Sequence, residues 1–547
     1  MFARNDKHKQ SFMFDGLDSL PEKARKRLES SWAEAFYQEL FCRIDESAFA
    51  VLYSEKKSRP NIPVNILVGL DTLKSGFGWS DEELYDHFLF DVQVRYALGI
   101  RELGESCFDL RTLYNFRSSV VQYEREHGVN LITRATEQIT DEQVRRFEVK
   151  TGMQRMDSTQ IQSNICRMSR LQLLVEVIGR FHRILDEHEQ EQQESLFGEY
   201  VKTDSLHYCY RLTREETDER LQQIGGDLQV MIDTFEDPHG KHPAYGDLVR
   251  VFGEQYRIDE ERIELKAPKE MSGSTLQSPD DREATYRRKG NEAARGYVAN
   301  ISETCDPENE LQLITSVRVE ANTTDDQKLL ADDLDRLCER TDLEELITDG
   351  GYPGETSAQA LEEKSVELKT SAIKGKRRSS DKIGLEEFII TRDEEQTVTG
   401  LICPQGQSAE VRPGRKPGRY SAGFAAEVCE RCSFADRCPA QRLKKRPVHV
   451  FRFTDTDIRV AQQRRVYAES GKETSNLRAS IESTVRSVIH PFGGHLCKLP
   501  VRGKSRITTM TVLSGAMVNV RRIARYLFAQ NGPPKRHTAI TAQPAGG

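Results

Sequence analysis

The stretch that most constrains the fold lies between residues 294 and 373. Two long strand-like runs, ARGYVANISET (294–304) and LQLITSVRVEAN (311–322), are followed by an amphipathic helix around 325–340. Then come a short apolar strand in ELITDGG, a helix near 355–364 and a last strand in VELKTSAI. Strands followed by helix–strand alternation specify an α/β domain with a mixed sheet. An earlier strand signal, FEVKTGMQRMDSTQIQ, alternates Val149, Thr151, Met153 and Arg155 ahead of Asp157. Residues 20–130 and 165–265 carry apolar residues at three- and four-residue spacing and read as helical. Within the first of these regions, Ser80 precedes DEELYDHFLF with Glu83 three residues on, the signature of a capping box.

Composition narrows the class. The 547 residues are 37% hydrophobic and 30% charged, with a mean hydropathy of -0.63. That suffices for a large core spread over about three to four domains. No run approaches the ~20 apolar residues that span a bilayer, and MFARNDKHKQSFMFDGLDSL lacks the apolar run of a signal peptide. Eleven cysteines, an odd count, argue against a disulfide framework. The expectation is a soluble, cytoplasmic, multidomain protein. Its net charge of -8 is unevenly spread. Residues 371–547 hold 32 basic and 15 acidic side chains, a balance of +17, whereas residues 1–370 hold 47 and 72, a balance of -25. Such asymmetry points to a polyanion-binding C-terminal part; the plainer alternative is solvated surface of two signs.

Two motifs fail on inspection. PVRGKSR has Lys498 where a phosphate-binding loop needs its first glycine, and HEQEQ at His188 has Gln192 where a zinc-protease helix needs its second histidine. Three acids are more pointed. Asp349 ends the short apolar strand in ELITDGGYPG, where ligands gather in open α/β sheets, although Asp-Gly is also an ordinary turn. Asp157 sits inside a strand, where an acid is disfavoured without a partner or metal. Glu482 lies on a helix near 476–490 whose apolar stripe is Leu477, Ile481, Val485 and Val488. Beside that stripe run Arg478, Glu482 and Arg486 at four-residue spacing. An ion-pair ladder would look the same. Three carboxylates can also hold two magnesium ions about 3.5–4 Å apart for in-line phosphoryl displacement, with arginines receiving phosphates.

The order MDSTQI, SPDD, ARGYVAN, ITDGGY and RASIEST resembles an insertion-sequence DDE transposase of the eleven-eighty-two group, related to the IS-four and IS-five types. The N-terminal RPNIPVNILVGLDTLKSGFGWSDEELYDHFLFDVQVRYALGI with FDLRTLYNFR, and the C-terminal RGKSRITTMTVLSGAMVNVRRIARY, extend the likeness over about residues 20–530. The resemblance implies an RNase H-like catalytic core with Asp157, Asp349 and Glu482 as the triad holding magnesium, for which manganese can substitute. It makes Arg478 the arginine one turn before the glutamate. Related transposases often carry a lysine seven residues after that glutamate, where this chain has Ile489; Arg486, His490 or Lys498 are the alternatives for that DNA contact. Lys498, Arg502 and Lys504 complete the expected DNA-binding set with Arg478 and Arg486.

Cys403, Cys429, Cys432 and Cys438 stand as CPQG, CERC and CP among basic residues. A closed thiolate tetrahedron would suit structural zinc; an iron–sulfur cluster and no metal are the alternatives. The segments GKRR, RPGRKPGR and QRLKKR are candidate phosphate contacts.

The expected division is a helical N-terminal domain at 1–140, the candidate reader of DNA ends. A catalytic core spans 141–165 and 290–375, with a charged helical insertion at 166–289. A cysteine-rich basic module follows at 376–450, then the glutamate-helix part of the core at 451–530 and a disordered tail at 531–547. The expected function is metal-dependent cleavage at element ends and strand transfer. Its partners would be terminal inverted repeats and target DNA, bound by a homodimer on paired ends and with no membrane involved. The rivals are a non-catalytic DNA-binding descendant and a nuclease without strand transfer.

Overall fold

The computed structural model describes residues 1–9, 19–54, 56, 60–102, 107–260, 262–371, 382–395, 397–444 and 446–531, without the side chains of 469–476 and 531. The expected loop at 375–382 falls almost wholly outside the described residues, and so does the expected tail beyond 531. In chain order the strands begin with β1 (Met153–Gln162), β2 (Tyr256–Asp259), β3 (Arg262–Leu265), β4 (Thr285–Lys289), β5 (Glu292–Thr304) and β6 (Ile314–Ala321). They continue with β7 (Glu345–Thr348), β8 (Glu367–Thr370), β9 (Ile389–Arg392), β10 (Val398–Ile402), β11 (Ser408–Pro413), β12 (Arg419–Ala425), β13 (Gln441–Arg442) and β14 (Val448–Thr454). The protein is a mixed α/β chain. No helix among the described residues is long and apolar enough to cross a membrane.

The chain divides into two units, one of residues 1–151, 158–325 and 483–547, the other of 152–157 and 326–482. In the first, N-terminal helices including Val64–Phe77, Asp81–Phe90, Leu110–His127 and Leu131–Arg146 enclose a core with Phe36, Phe41, Phe49, Leu73 and Phe88. The long helix Lys504–Asn531 packs on Val64–Phe77 and on β6. Its approach depends on Gly76, where a Cβ would lie 2.2 Å from Met517 Cγ. The charged insertion folds as helices Arg170–His182, Arg214–His239 and Pro243–Gln255 around Leu174, Phe181, Met231 and Leu248, with the β2–β3 hairpin beside them. β5 pairs antiparallel with β4 and β6, and Ser163, just past the end of β1, donates its N–H to the Arg295 carbonyl of β5.

In the second unit the first residues of β1 pair parallel with β7, and β7 pairs parallel with β8. Helices Asp326–Arg340 and Glu355–Lys364 pack on each other, and Met156, Leu334, Leu337, Leu346 and Tyr352 fill the core around them. Parallel strands require such helical crossovers. The cysteine region is a separate antiparallel sheet, in the order β13-β14-β12-β11-β10-β9, over a core of Phe388, Leu401, Phe424, Phe451 and Phe453.

Two boundaries differ from expectation. β1 starts at Met153 rather than Val149, because the preceding helix runs to Arg146 and Glu148 turns the chain with φ 50°. The glutamate helix spans Asp455–Ile489, far longer than 476–490. Its start is a reciprocal cap: Asp457 N–H donates to Thr454 Oγ1 at 3.2 Å and Thr454 N–H to Asp457 Oδ2 at 2.8 Å. The box at Ser80 forms as expected, with Glu83 N–H on Ser80 Oγ at 3.1 Å and Ser80 N–H on Glu83 Oε2 at 2.8 Å. Ser80→Ala is expected to cost helix Asp81–Phe90 about 1 kcal/mol, seen as roughly five-fold faster amide exchange along that helix.

Candidate functional site

Asp157, Asp349, Arg478 and Glu482 all belong to the second unit. Asp157 lies on β1, and Asp349 immediately follows β7, its parallel neighbour. The strand end delivers the Asp349 carboxylate to a tight turn, where Asp349 Oδ1 accepts the Gly351 N–H at 2.7 Å. Gly351 leaves room there for both carboxylates. A Cβ would stand 2.9 Å from Asp349 Oδ1 and 2.6 Å from Asp326 Oδ2. Asp326, opening the helix Asp326–Arg340, is thus a second carboxylate beside Asp349. An acid in the first turn of a helix is common, so the sequence alone carries little signal for it.

The helix Asp455–Ile489 brings the third acid. Arg155 Nη1 of β1 donates to the Leu477 carbonyl at 2.6 Å and fixes the turn that holds Arg478. Arg478 Nη2 then reaches Asp157 Oδ2 at 3.2 Å, and Arg478 Nη1 reaches Glu482 Oε1 at 3.3 Å. One guanidinium therefore links the first and third acids. Side-chain exposures of 14% for Asp157 and 22% for Arg478, against 65% for Glu482, make the Asp157 contact the better shielded one. The Glu482 contact is an exposed i,i+4 pair, worth about 0.3–0.5 kcal/mol. Among the described residues no three His, Cys, Asp or Glu side chains are gathered closely enough to hold a metal ion. The donor set is nonetheless the hard-oxygen chemistry that magnesium takes.

The other expected DNA contacts lie in the first unit. Arg486 and Lys498 are exposed. Arg502 pairs with Asp280 at 3.3 Å and donates to the Asn164 carbonyl at 2.6 Å, and Lys504 pairs with Glu320 at 2.5 Å. Arg502 and Lys504 thus have internal partners that a phosphate would have to displace. Ile489 is buried in a cluster with Ile161, Ala284, Tyr297, Leu499 and Ile507. A side chain at that position faces core, so a DNA-contacting lysine has no place there; His490 next to it is exposed.

In the cysteine module, Cys403, Cys429, Cys432 and Cys438 line one cavity with Phe388 and Phe424. All four are free thiols. Two tight turns present them. Gly406, at φ 78°, donates to the Cys403 carbonyl at 2.8 Å, and Phe434 N–H donates to Cys432 Sγ at 3.4 Å. Burial, reinforced by the neighbouring thiols of Cys438, Cys432 and Cys403, pushes the Cys429 thiol up, and burial raises Cys438 as well.

An α/β unit that sets carboxylates around an arginine is suited to phosphate chemistry. Residues 402–524 match the family model described as a transposase DDE domain. The match takes in the four cysteines of the module, Arg478 and Glu482, and most of the helix Lys504–Asn531, and it supports a DDE transposase, an enzyme acting on DNA. Asp157 and Asp349 lie outside the matched residues. No curated protein and no solved structure matches the chain.

Proposed function

We propose that the protein is the transposase of an insertion sequence of the eleven-eighty-two group, cutting element ends and joining them to target DNA. The observation that carries this reading is the transposase match over the helix of Glu482, together with the Arg478 guanidinium that joins Glu482 to Asp157. Asp157, Asp349 and Glu482 would hold two magnesium ions, with manganese able to substitute. When bound, these supply activation of the attacking oxygen and charge neutralisation at the leaving one. Arg478, which pairs with Asp157 and Glu482, would take a non-bridging phosphate oxygen once cations neutralise the acids. The β1–β7–β8 parallel strands and the antiparallel β4–β5–β6 set support an RNase H-like core.

Cys403, Cys429, Cys432 and Cys438 would hold a structural zinc by closing on it from the one cavity they line, since among the described residues no three of them stand close enough together to hold a metal. DNA ends and target DNA are the partners of this reading, bound by a homodimer in the bacterial cytoplasm. The 1–140 helices are its candidate end-reader, although Asp81, Glu82, Glu83 and Asp86 make the helix Asp81–Phe90 a poor groove-entering element.

The test is incubation of the purified protein with DNA flanking its own gene, in magnesium, with new 3′ ends mapped and Asp349→Asn as control. Cuts at defined inverted-repeat ends, absent in the control, are the expected result. Joining of those ends to a target plasmid separates a transposase from a nuclease. Specific binding without cutting in magnesium or manganese would overturn the catalytic reading in favour of a DNA-binding descendant.

A further inference from the structure

The sheet of the cysteine module has one face on its core and one open face, and the open face gathers arginines. Ser421 on β12 is directly opposite Arg412 on β11 and Arg452 on β14. Directly paired residues share a face, and Arg419, two residues before Ser421, shares it too. The next residue on each strand turns the other way: Val411, Ala422 and Phe451 form the adjacent cross-strand row and are buried in the module core. Arg412, Arg419 and Arg452 are exposed. None of the three has an ion-pair partner among the described residues. Glu410, also on this face, lies two residues from Arg412 and is joined to none of them by an ion pair.

Strand spacing places the Arg412 and Arg452 backbones about 10 Å apart across Ser421, with Arg419 about 7 Å along β12. The strand between them is low. Ser421 is followed on the same face by Gly423, beside which a Cβ would meet nothing within 4 Å. Like charges on adjacent strands repel, so three guanidinium groups around one small residue are a site prepared for a counter-charge. The three roots stand about 7–10 Å apart, further than one small anion bridges and about the spacing of neighbouring backbone phosphates, which suits a polymer better than a small anion.

We propose that Arg412, Arg419 and Arg452, set around Ser421 on the open face of this sheet, bind the phosphate backbone of duplex DNA. The proposal rests on the transposase reading for the identity of the polyanion, and it adds the surface on which the DNA lies. Each guanidinium would hold phosphate oxygens in its planar fork, and such contacts position DNA without reading its sequence.

The experiment measures binding of the full chain to a labelled duplex from its own flanks, by fluorescence anisotropy, between 50 and 300 mM salt. The variants are R412Q/R419Q/R452Q and R412K/R419K/R452K, compared with the parent chain without added divalent metal. Each lost phosphate contact should remove about 0.9 from the slope of log affinity against log salt. The glutamine triple should therefore be shallower by about two to three and bind at least ten-fold more weakly at 100 mM salt. The lysine triple should keep most of the slope. An unchanged slope in the glutamine triple, with or without weaker affinity, overturns the proposal and leaves the transposase reading standing. A parent chain that binds no DNA overturns both.

Discussion

Asp157→Asn is expected to slow end cleavage by about 1,000-fold or more while leaving DNA affinity within about two-fold. Asparagine keeps the shape of the side chain on β1 and removes only its charge. On the proposed mechanism a hard cation would then lose an anionic oxygen ligand, and Arg478 loses its better shielded partner, held at 3.2 Å. Losing a group that merely orients a ligand typically costs 10–100-fold; losing the ligand itself should cost more. Arg478→Gln supplies the comparison, since it leaves both carboxylates in place and should fall only within that 10–100-fold range. The measurement is single-turnover cleavage of an uncut element-end duplex across a magnesium titration, with binding followed separately. An Asp157→Asn enzyme retaining a tenth of the parent's cleavage rate would remove Asp157 from the site.

Much of this arrangement was legible because its strands are buried on both sides. β5 and β6 are long runs whose interior residues, such as Ile301, Val317 and Val319, are buried, and the helices Asp326–Arg340 and Glu355–Lys364 follow a clear 3.6-residue pattern. The cysteine module was legible only as a set of thiols. Its strands are short, broken by Gly and Pro, and alternate exposed arginines with single buried residues, so no run announces a sheet. The glutamate helix was under-read because Gly471, Thr474, Ser475 and Asn476 are weak helix formers, while the cap at Thr454 and Asp457 that starts it lies some twenty residues upstream. Ile489 shows the opposite limit. Motif comparison marks it as a missing charge, whereas the tertiary fold makes it a core residue. Asp326 was not legible as a neighbour of Asp349, because the two carboxylates flank Gly351 although they lie 23 residues apart along the chain.

Glu303→Ala is expected to destabilise the first unit by about 3–5 kcal/mol, the cost of breaking a buried ion pair from one side. Glu303 on β5 is fully buried. Its Oε2 accepts from Arg522 Nη1 at 2.7 Å and from Thr484 Oγ1 at 2.8 Å. Arg522 also donates to Thr484 Oγ1 at 2.5 Å and to the Gln312 carbonyl at 3.2 Å, so three elements of the unit meet at one carboxylate. Alanine would leave a guanidinium that is only 17% exposed with its charge unbalanced. Glu303→Gln keeps the volume and can still accept one hydrogen bond, so it should cost less than alanine. Removing both charges together, as Glu303→Leu with Arg522→Met, should cost less than Glu303→Ala alone, because no uncompensated charge remains to be kept from water. Urea unfolding of these three variants, with Glu303→Leu and Arg522→Met made singly to close the double-mutant cycle, measures the coupling. A coupling energy near zero would mean that Arg522 finds solvent as readily as it finds Glu303, and that packing alone holds β5 against the C-terminal helix.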